Sequence, residues 1–187
     1  FVADEIARAV GEFDGRTLLR TSAEWAERSH LSPGRDVGIG SIHLPDAPVL
    51  GAHRHEELVV QLRQRAEAGL SRYSGALSVQ AAQRLEEELA TVRILGYEPY
   101  FLAVADVADI ARSRGIRVAA RGSGAGSLIC YLLGISGVEP ISQGLLMERF
   151  CSPLRNELPD IDIDVESARR LEIYDAIFER FGSERTA

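Results

Sequence analysis

The chain has 187 residues, 45% hydrophobic and 26% charged, an ordinary composition for a soluble globular protein with room for one domain, or one domain plus an appendage. A net charge of -7 counts against a broadly basic surface and a self-sufficient DNA-binding module, but not against a catalytic piece whose acids hold metal. No apolar run is long enough to cross a bilayer and no signal peptide is present. Phe1 is not an initiator methionine, so the chain is expected to begin inside a longer polypeptide and to hold part of a site. Cys130 and Cys151 form no C-x-x-C pattern, and reduced thiols in a cytoplasmic protein are the expectation, with one disulfide left open.

Val2, Ile6 and Val10 form one stripe of a short helix closed by Gly11. Residues 22–28 read as a second helix, with Ser22 as N-cap and Trp25 facing inward as a core anchor rather than outward as a base-stacking platform. Residues 31–53 are a connector, with a short strand allowed between Asp36 and Leu44. His43, His53 and His55 match no zinc spacing and read as solvated loop histidines. From about His55 the chain becomes helical, with Leu58, Leu62, Ala66 and Gly69-Leu70 on one face. Ser78 caps a helix reaching Ile94, with Val79, Ala82, Leu85, Leu89, Val92 and Leu95 inward, Glu86, Glu87 and Glu88 as a solvated acidic side, and Gly96 as its end. Glu98-Pro99 opens the next helix, residues 100–114, which Gly115 stops, and residues 116–120 read as a short buried strand.

Arg121-Gly122-Ser123-Gly124-Ala125-Gly126-Ser127 follows that strand and leads into the apolar helix of residues 128–133. Strand, glycine-rich turn and helix make an anion site: glycines let backbone N–H groups approach a ligand, and a helix N-terminus supplies unpaired donors. Ser123 adds a hydroxyl and Arg121 a fork of donors. The spacing is neither G-x-G-x-x-G nor Walker A. Taken alone, the loop fits equally well a helix start that needs small residues for close packing. A short amphipathic turn, residues 144–150, then places Arg149, and Arg155 after it, just upstream of the next strand.

That strand is Pro159-Asp160-Ile161-Asp162-Ile163-Asp164-Val165. A period of two places the three aspartates on one face and the aliphatics on the other. Like charges at neighbouring positions repel, and Asp is a poor strand former. A hard divalent cation offsets both, since Mg²⁺ takes one or two carboxylates plus water and phosphate. The plain alternative is a solvated edge strand whose charges discourage aggregation. Beyond it, Ser167 caps a helix carrying Ala168, Leu171, Tyr174, Ile177, Phe178 and Phe181 over the aliphatic face.

Tyr100-Phe101-Leu102, the run from Arg121 to Leu128, Leu146-Met147-Glu148-Arg149-Phe150, and the run from Leu158 to Asp164 stand in this order. Together they resemble the palm region of the C-family bacterial DNA polymerases, the alpha subunit of DNA polymerase III and its error-prone relatives. The likeness runs over residues 47–187, and residues 1–46 resemble, more weakly, the end of a preceding polymerase-and-histidinol-phosphatase (PHP) domain with its connector. The resemblance implies an α/β (α+β) fold: a polymerase-β-type nucleotidyltransferase palm, a mixed sheet with flanking helices, incomplete in this chain. It implies template-directed DNA synthesis by nucleotidyl transfer from dNTP to a primer 3′ end, with Mg²⁺ or Mn²⁺, in the cytoplasm. Primer-template DNA and dNTP are the implied ligands, other replisome subunits including the sliding clamp are reached through regions outside this chain, and no membrane is involved. By motif position, Asp160 and Asp162 resemble the metal-binding catalytic aspartates, and Asp164 the third alternating acid, which is not counted as catalytic. Gly122, Ser123 and Arg149 resemble triphosphate contacts. The family's further aspartate and lysine come from a later strand, so the chain alone is expected to be inactive.

Three other readings compete. A haloacid-dehalogenase-like phosphohydrolase also uses D-x-D, but there an apolar strand runs into the first Asp, whereas Asn156-Glu157-Leu158-Pro159 stands here. A calcium loop needs Gly and Glu where Val165 and Leu171 stand. A non-catalytic scaffold or interaction domain is the reading from a different class, and metal-dependent dNTP binding separates it from a polymerase.

Overall fold

A computed structural model describes residues 4–5, 9, 15–36, 40, 42–154 and 158–185. The chain divides into two units, Phe1–Ser41 and Ile42–Ala187. In the first, α1 spans Gly15–Arg28 and the four-residue α2 spans Pro33–Asp36. No breaker separates Thr17 from Ser22, so α1 begins well before Ser22, which is interior rather than a cap. Trp25 is 64% exposed, contrary to its expected inward role, and carries the Arg28 guanidinium 5.7 Å from its ring centroid. The expected stripe of Val2, Ile6 and Val10, with Gly11, and residues 37–39 and 41 of the expected strand lie outside the described residues, while residues 42–44 are not strand.

The second unit is rich in helix around one small sheet. Its long helices are α3 (His55–Gly69), α4 (Ala76–Leu95) and α5 (Glu98–Ser113). Glu56 and Glu57 favour the first turn of α3 through the helix dipole. Leu58, Leu62, Ala66 and Gly69 bury the expected stripe. Gly69 allows a very close crossing: a Cβ there would lie 2.6 Å from the Leu132 carbonyl oxygen. His43 and His53 are exposed in loops, whereas His55 is the first residue of α3, its Nε2 3.3 Å from the buried Glu98 carboxylate.

α4 begins at Ala76, not Ser78, whose hydroxyl instead donates to the Gly75 carbonyl at 2.7 Å. Its buried face is Ala81, Leu85, Glu88, Leu89 and Val92, while Val79 and Ala82 are exposed and Leu95 is half-buried. Glu88 is therefore not on a solvated acidic side, because the apolar stripe runs directly through its position. Gly96 ends the helix at φ 68, and the Tyr97 N–H closes back on the Val92 carbonyl at 3.1 Å.

After α5 the chain enters β1 (Val118–Arg121), which pairs antiparallel with β2 (Asp162–Val165). Among the described residues the sheet has these two strands, not the mixed sheet expected. β2 also starts two residues later than the alternating run: β1 ends where Gly122 turns away at φ 73, so Asp160 and Ile161 have no strand opposite. The alternation itself is observed, with Asp160, Asp162 and Asp164 exposed and Ile161, Ile163 and Val165 half-buried rather than fully buried. α6 (Leu128–Leu132) is short and buried. α7 (Arg170–Phe181) covers the aliphatic face of the ladder, where Ile173 and Ile177 meet Val118, Val165, Ile116 and Ala111. A 3-10 turn, Ser167–Arg169, precedes α7, so Ser167 is not its cap, and Leu171, Tyr174 and Phe178 point outward. Among the described residues no helix is long and apolar enough to cross a membrane.

Candidate active site

The ladder builds the acid face. Its register sets Arg121 opposite Asp162 and Ala119 opposite Asp164, and opposed residues share a face. Arg121 lies across the acids, its Nε 3.2 Å from Asp164 Oδ1 and its Nη2 3.7 Å from Asp162 Oδ2. Part of the charge compensation expected from a cation is thus supplied by this arginine. All three side chains are more than half exposed, so these pairs are weak and the arginine is readily displaced. Asp160, just before the ladder, makes no hydrogen bond or ion pair with the described residues.

Tyr100 holds this segment from behind. Its hydroxyl accepts a hydrogen bond from the Ile161 N–H at 3.0 Å, in place of a ladder bond. Burial pushes the phenol up to about 12; the Ile161 N–H pulls against that, and the nearby Asp160 and Asp162 charges add to the rise.

The glycine-rich loop, a 3-10 turn at Gly122–Gly126, shows both of the roles that its sequence left open. Gly122 faces the acids: a Cβ there would lie 3.8 Å from Asp162 Oδ2. Gly124 and Gly126 serve packing. A Cβ at Gly124 would touch Ile161 at 3.7 Å and Phe150 at 3.8 Å, and one at Gly126 would come within 2.7 Å of the Leu146 carbonyl oxygen. Ser123 is exposed between them.

The donors at the start of α6, expected to be unpaired, are occupied. The Glu88 carboxylate accepts from Leu128 N–H (2.9 Å), Ile129 N–H (3.1 Å) and the Ser127 hydroxyl (3.0 Å), and Ser127 Oγ accepts from the Cys130 N–H at 3.2 Å. An anion bound here would be met by the Gly122–Gly126 turn, not by the helix end. Burial pushes the Glu88 carboxyl up, and the Leu128 and Ile129 N–H groups and Arg84 pull against it.

Arg149 closes the 3-10 turn Met147–Arg149. Met147 and Phe150 are buried on either side of it, and Phe150 meets Phe101 edge-on, ring centroids 6.1 Å apart at 87°. Arg149 is exposed and makes no bond with the described residues, and its turn packs against the glycine loop. Arg155 lies outside the described residues. The structure thus joins Gly122 to Asp162 and packs the Arg149 turn against the loop, while leaving Asp160 outside the ladder. Cys130 and Cys151 are free and buried, and burial pushes their thiols up to about 12 and about 11.

Carboxylate oxygens suit a hard ion such as Mg²⁺ or Mn²⁺. Among the described residues no group of three or more His, Cys, Asp and Glu converges into a ready-made cage. Asp160 and Asp162 fit instead the one or two carboxylates that such an ion takes when water and phosphate complete its shell.

Sequence reasoning missed Glu88 and Arg84. The phase Ala81, Leu85, Glu88, Val92 steps by four, three and four residues along one face and could have found Glu88.

The family model for the bacterial DNA polymerase III alpha NTPase domain matches residues 60–187. The chain belongs to this family. Every residue placed above on the acid face, the loop and the Arg149 turn lies within the match. An error-prone DNA polymerase from Anaeromyxobacter sp. (strain K) is 48% identical over 114 residues, 61% of this chain and 10% of that protein. The error-prone DNA polymerase of Xanthomonas axonopodis pv. citri (strain 306) is 38% identical over 181 residues, and that of Xanthomonas oryzae pv. oryzae (strain PXO99A) 43% identical over 181, each covering 96% of this chain and 16% of the relative. The chain therefore spans between 10% and 16% of the length of these curated relatives.

Proposed function

We propose that this chain carries the acid strand and triphosphate loop of an error-prone-type DNA polymerase, which adds deoxynucleotides from dNTP to a primer 3′ end on a template. The observation that supports this most directly is Gly122, at the mouth of the loop, opening onto Asp162, with a Cβ-to-Oδ2 separation of 3.8 Å. Residues 47–187 would be the first part of a polymerase-β-type palm, and residues 1–46 the end of a PHP-like domain with its connector. The protein would be cytoplasmic. Primer-template DNA and dNTP would be its ligands, and other replisome subunits, the sliding clamp included, would engage regions outside this chain.

In this reading Asp160 and Asp162 are catalytic and hold Mg²⁺ or Mn²⁺. Such ions, when bound, neutralise phosphate charge and activate the primer hydroxyl for in-line displacement. The chain's own residues bind and orient. The Gly122 and Ser123 N–H groups and the Ser123 hydroxyl cradle the triphosphate, and Arg149 meets its charge from the adjoining turn. Arg121 releases Asp162 and Asp164 when the site fills, at little cost because those pairs are exposed. The chain alone would not extend a primer, because transfer needs the reacting atoms fixed closely and a misplacement of about 1 Å already costs on the order of 10²-fold.

The test is equilibrium dialysis of labelled dATP against the chain, with and without Mn²⁺. The wild-type chain should retain dATP when Mn²⁺ is present and lose it when Mn²⁺ is withheld, and the double change Asp160→Asn, Asp162→Asn should retain little in either case. Equal binding by both proteins would place the metal elsewhere.

A further inference from the structure

Two charged side chains that this mechanism leaves unused meet on α4. Arg84 and Glu88 are an i, i+4 pair with side chains 19% and 3% exposed. The arginine spends its fork on three acceptors: Nε on Glu88 Oε1 at 2.9 Å, Nη1 on the Leu145 carbonyl at 2.8 Å, and Nη2 on the Gly126 carbonyl at 2.6 Å. Glu88 in turn accepts from Ser127, Leu128 and Ile129. One side-chain pair therefore holds the last residue of the glycine loop, the start of α6, and the chain that enters the Met147–Arg149 turn. The same two segments also touch directly, with the Leu146 carbonyl in the space a Gly126 side chain would need.

We propose that Arg84 and Glu88 are positioning residues for the triphosphate cradle, fixing the Gly122–Gly126 loop and the Arg149 turn relative to each other. The assignment of a cradle rests on the function proposed above; the tether itself does not. The loop and the turn lie far apart in sequence and share no strand, so loop N–H groups and the Arg149 guanidinium can meet one ligand only if something sets their separation. A planar guanidinium bonded to both segments does so, because its donors have a fixed fork geometry. Lysine keeps the charge that Glu88 needs but presents a single point, so it cannot span both carbonyls.

The test compares Arg84→Lys and Glu88→Gln with the wild-type chain by amide hydrogen exchange and by Mn²⁺–dATP affinity. Leu62→Val, a core change in α3 that removes none of these hydrogen bonds, serves as a control for simple loss of stability. In Arg84→Lys, exchange should speed about tenfold both at Ser127 and at Phe150 and Cys151, with α3 amides unchanged, and the dATP Kd should rise about tenfold, as expected for one lost charge-assisted bond. Glu88→Gln should loosen the same amides, and Leu62→Val should leave the Kd unchanged. Acceleration in only one segment, or in neither, overturns the tether. Acceleration in both with an unchanged Kd overturns its role in positioning the cradle. If the wild type binds no Mn²⁺–dATP, the nucleotide reading fails by itself, and the exchange data alone decide the tether.

Discussion

Gly122 and Asp162 face each other across the end of the two-stranded ladder, with 3.8 Å between the place of a Gly122 Cβ and Asp162 Oδ2. One residue both ends β1 and opens the loop toward the acids, because its φ of 73 turns the chain where a side chain would resist. Gly122→Ala should therefore cost about 1–2 kcal/mol of stability, the left-handed penalty for an L-residue, in urea unfolding. A neutral result would mean that the loop relaxes out of the left-handed conformation.

Gly69→Ala should show the reverse of ordinary helix behaviour. In an open helix interior that change stabilises by roughly 0.5–1 kcal/mol. Here the new Cβ would lie 2.6 Å from the Leu132 carbonyl oxygen, a backbone atom, so the helices must part. The expected outcome is a loss of about 1–3 kcal/mol in urea midpoint measurements, and a gain in stability would contradict the crossing.

Tyr100→Phe removes the acceptor that replaces a ladder bond at Ile161. The loss should be about 1 kcal/mol, and Ile161 amide exchange should speed while exchange at Ile163 stays slow. Equal acceleration at both would mean the phenol supports the whole strand rather than its entry.

Glu139 gives a pH dependence whose sign follows from its surroundings. Burial pushes its carboxyl up, but hydrogen bonds from Ser142, Tyr73 and the Ile141 N–H outweigh burial and hold it at about 2, below the ordinary 4.5. A carboxyl depressed on folding adds stability that is fully present above its unfolded pKa and is lost as pH falls through its folded one. Thermal unfolding between pH 5 and about pH 2 should therefore lose less stability in Glu139→Gln than in the wild type. Parallel curves would remove Glu139 from the acid response.

Much of this was legible in the residues. The alternation from Asp160 to Val165 set the two faces of β2, and the 3.6 period set the buried stripe of α3. What was missed has local causes. The run Glu86-Glu87-Glu88 reads as one solvated patch, although its third member falls in phase with Leu85 and Val92. The ladder starts late because Gly122 turns β1 away, and the bond that replaces it comes from Tyr100, which lies 61 residues from Ile161 and carries no local signal for that bond. In α7 the buried face turned by about one residue, because Val118 and Val165 receive Ile173 and Ile177 rather than Leu171 and Tyr174.

The most direct test of the central claim is primer extension, run with this chain alone and with the chain extended by the region that follows it in the polymerase. No extension is expected from the chain alone, and extension by the longer protein should fall on the order of 10²-fold or more in Asp162→Asn. Extension by the chain alone that vanishes in Asp162→Asn would mean that the site is complete within these residues, and a longer protein indifferent to Asp162→Asn would contradict the assignment of the acid face.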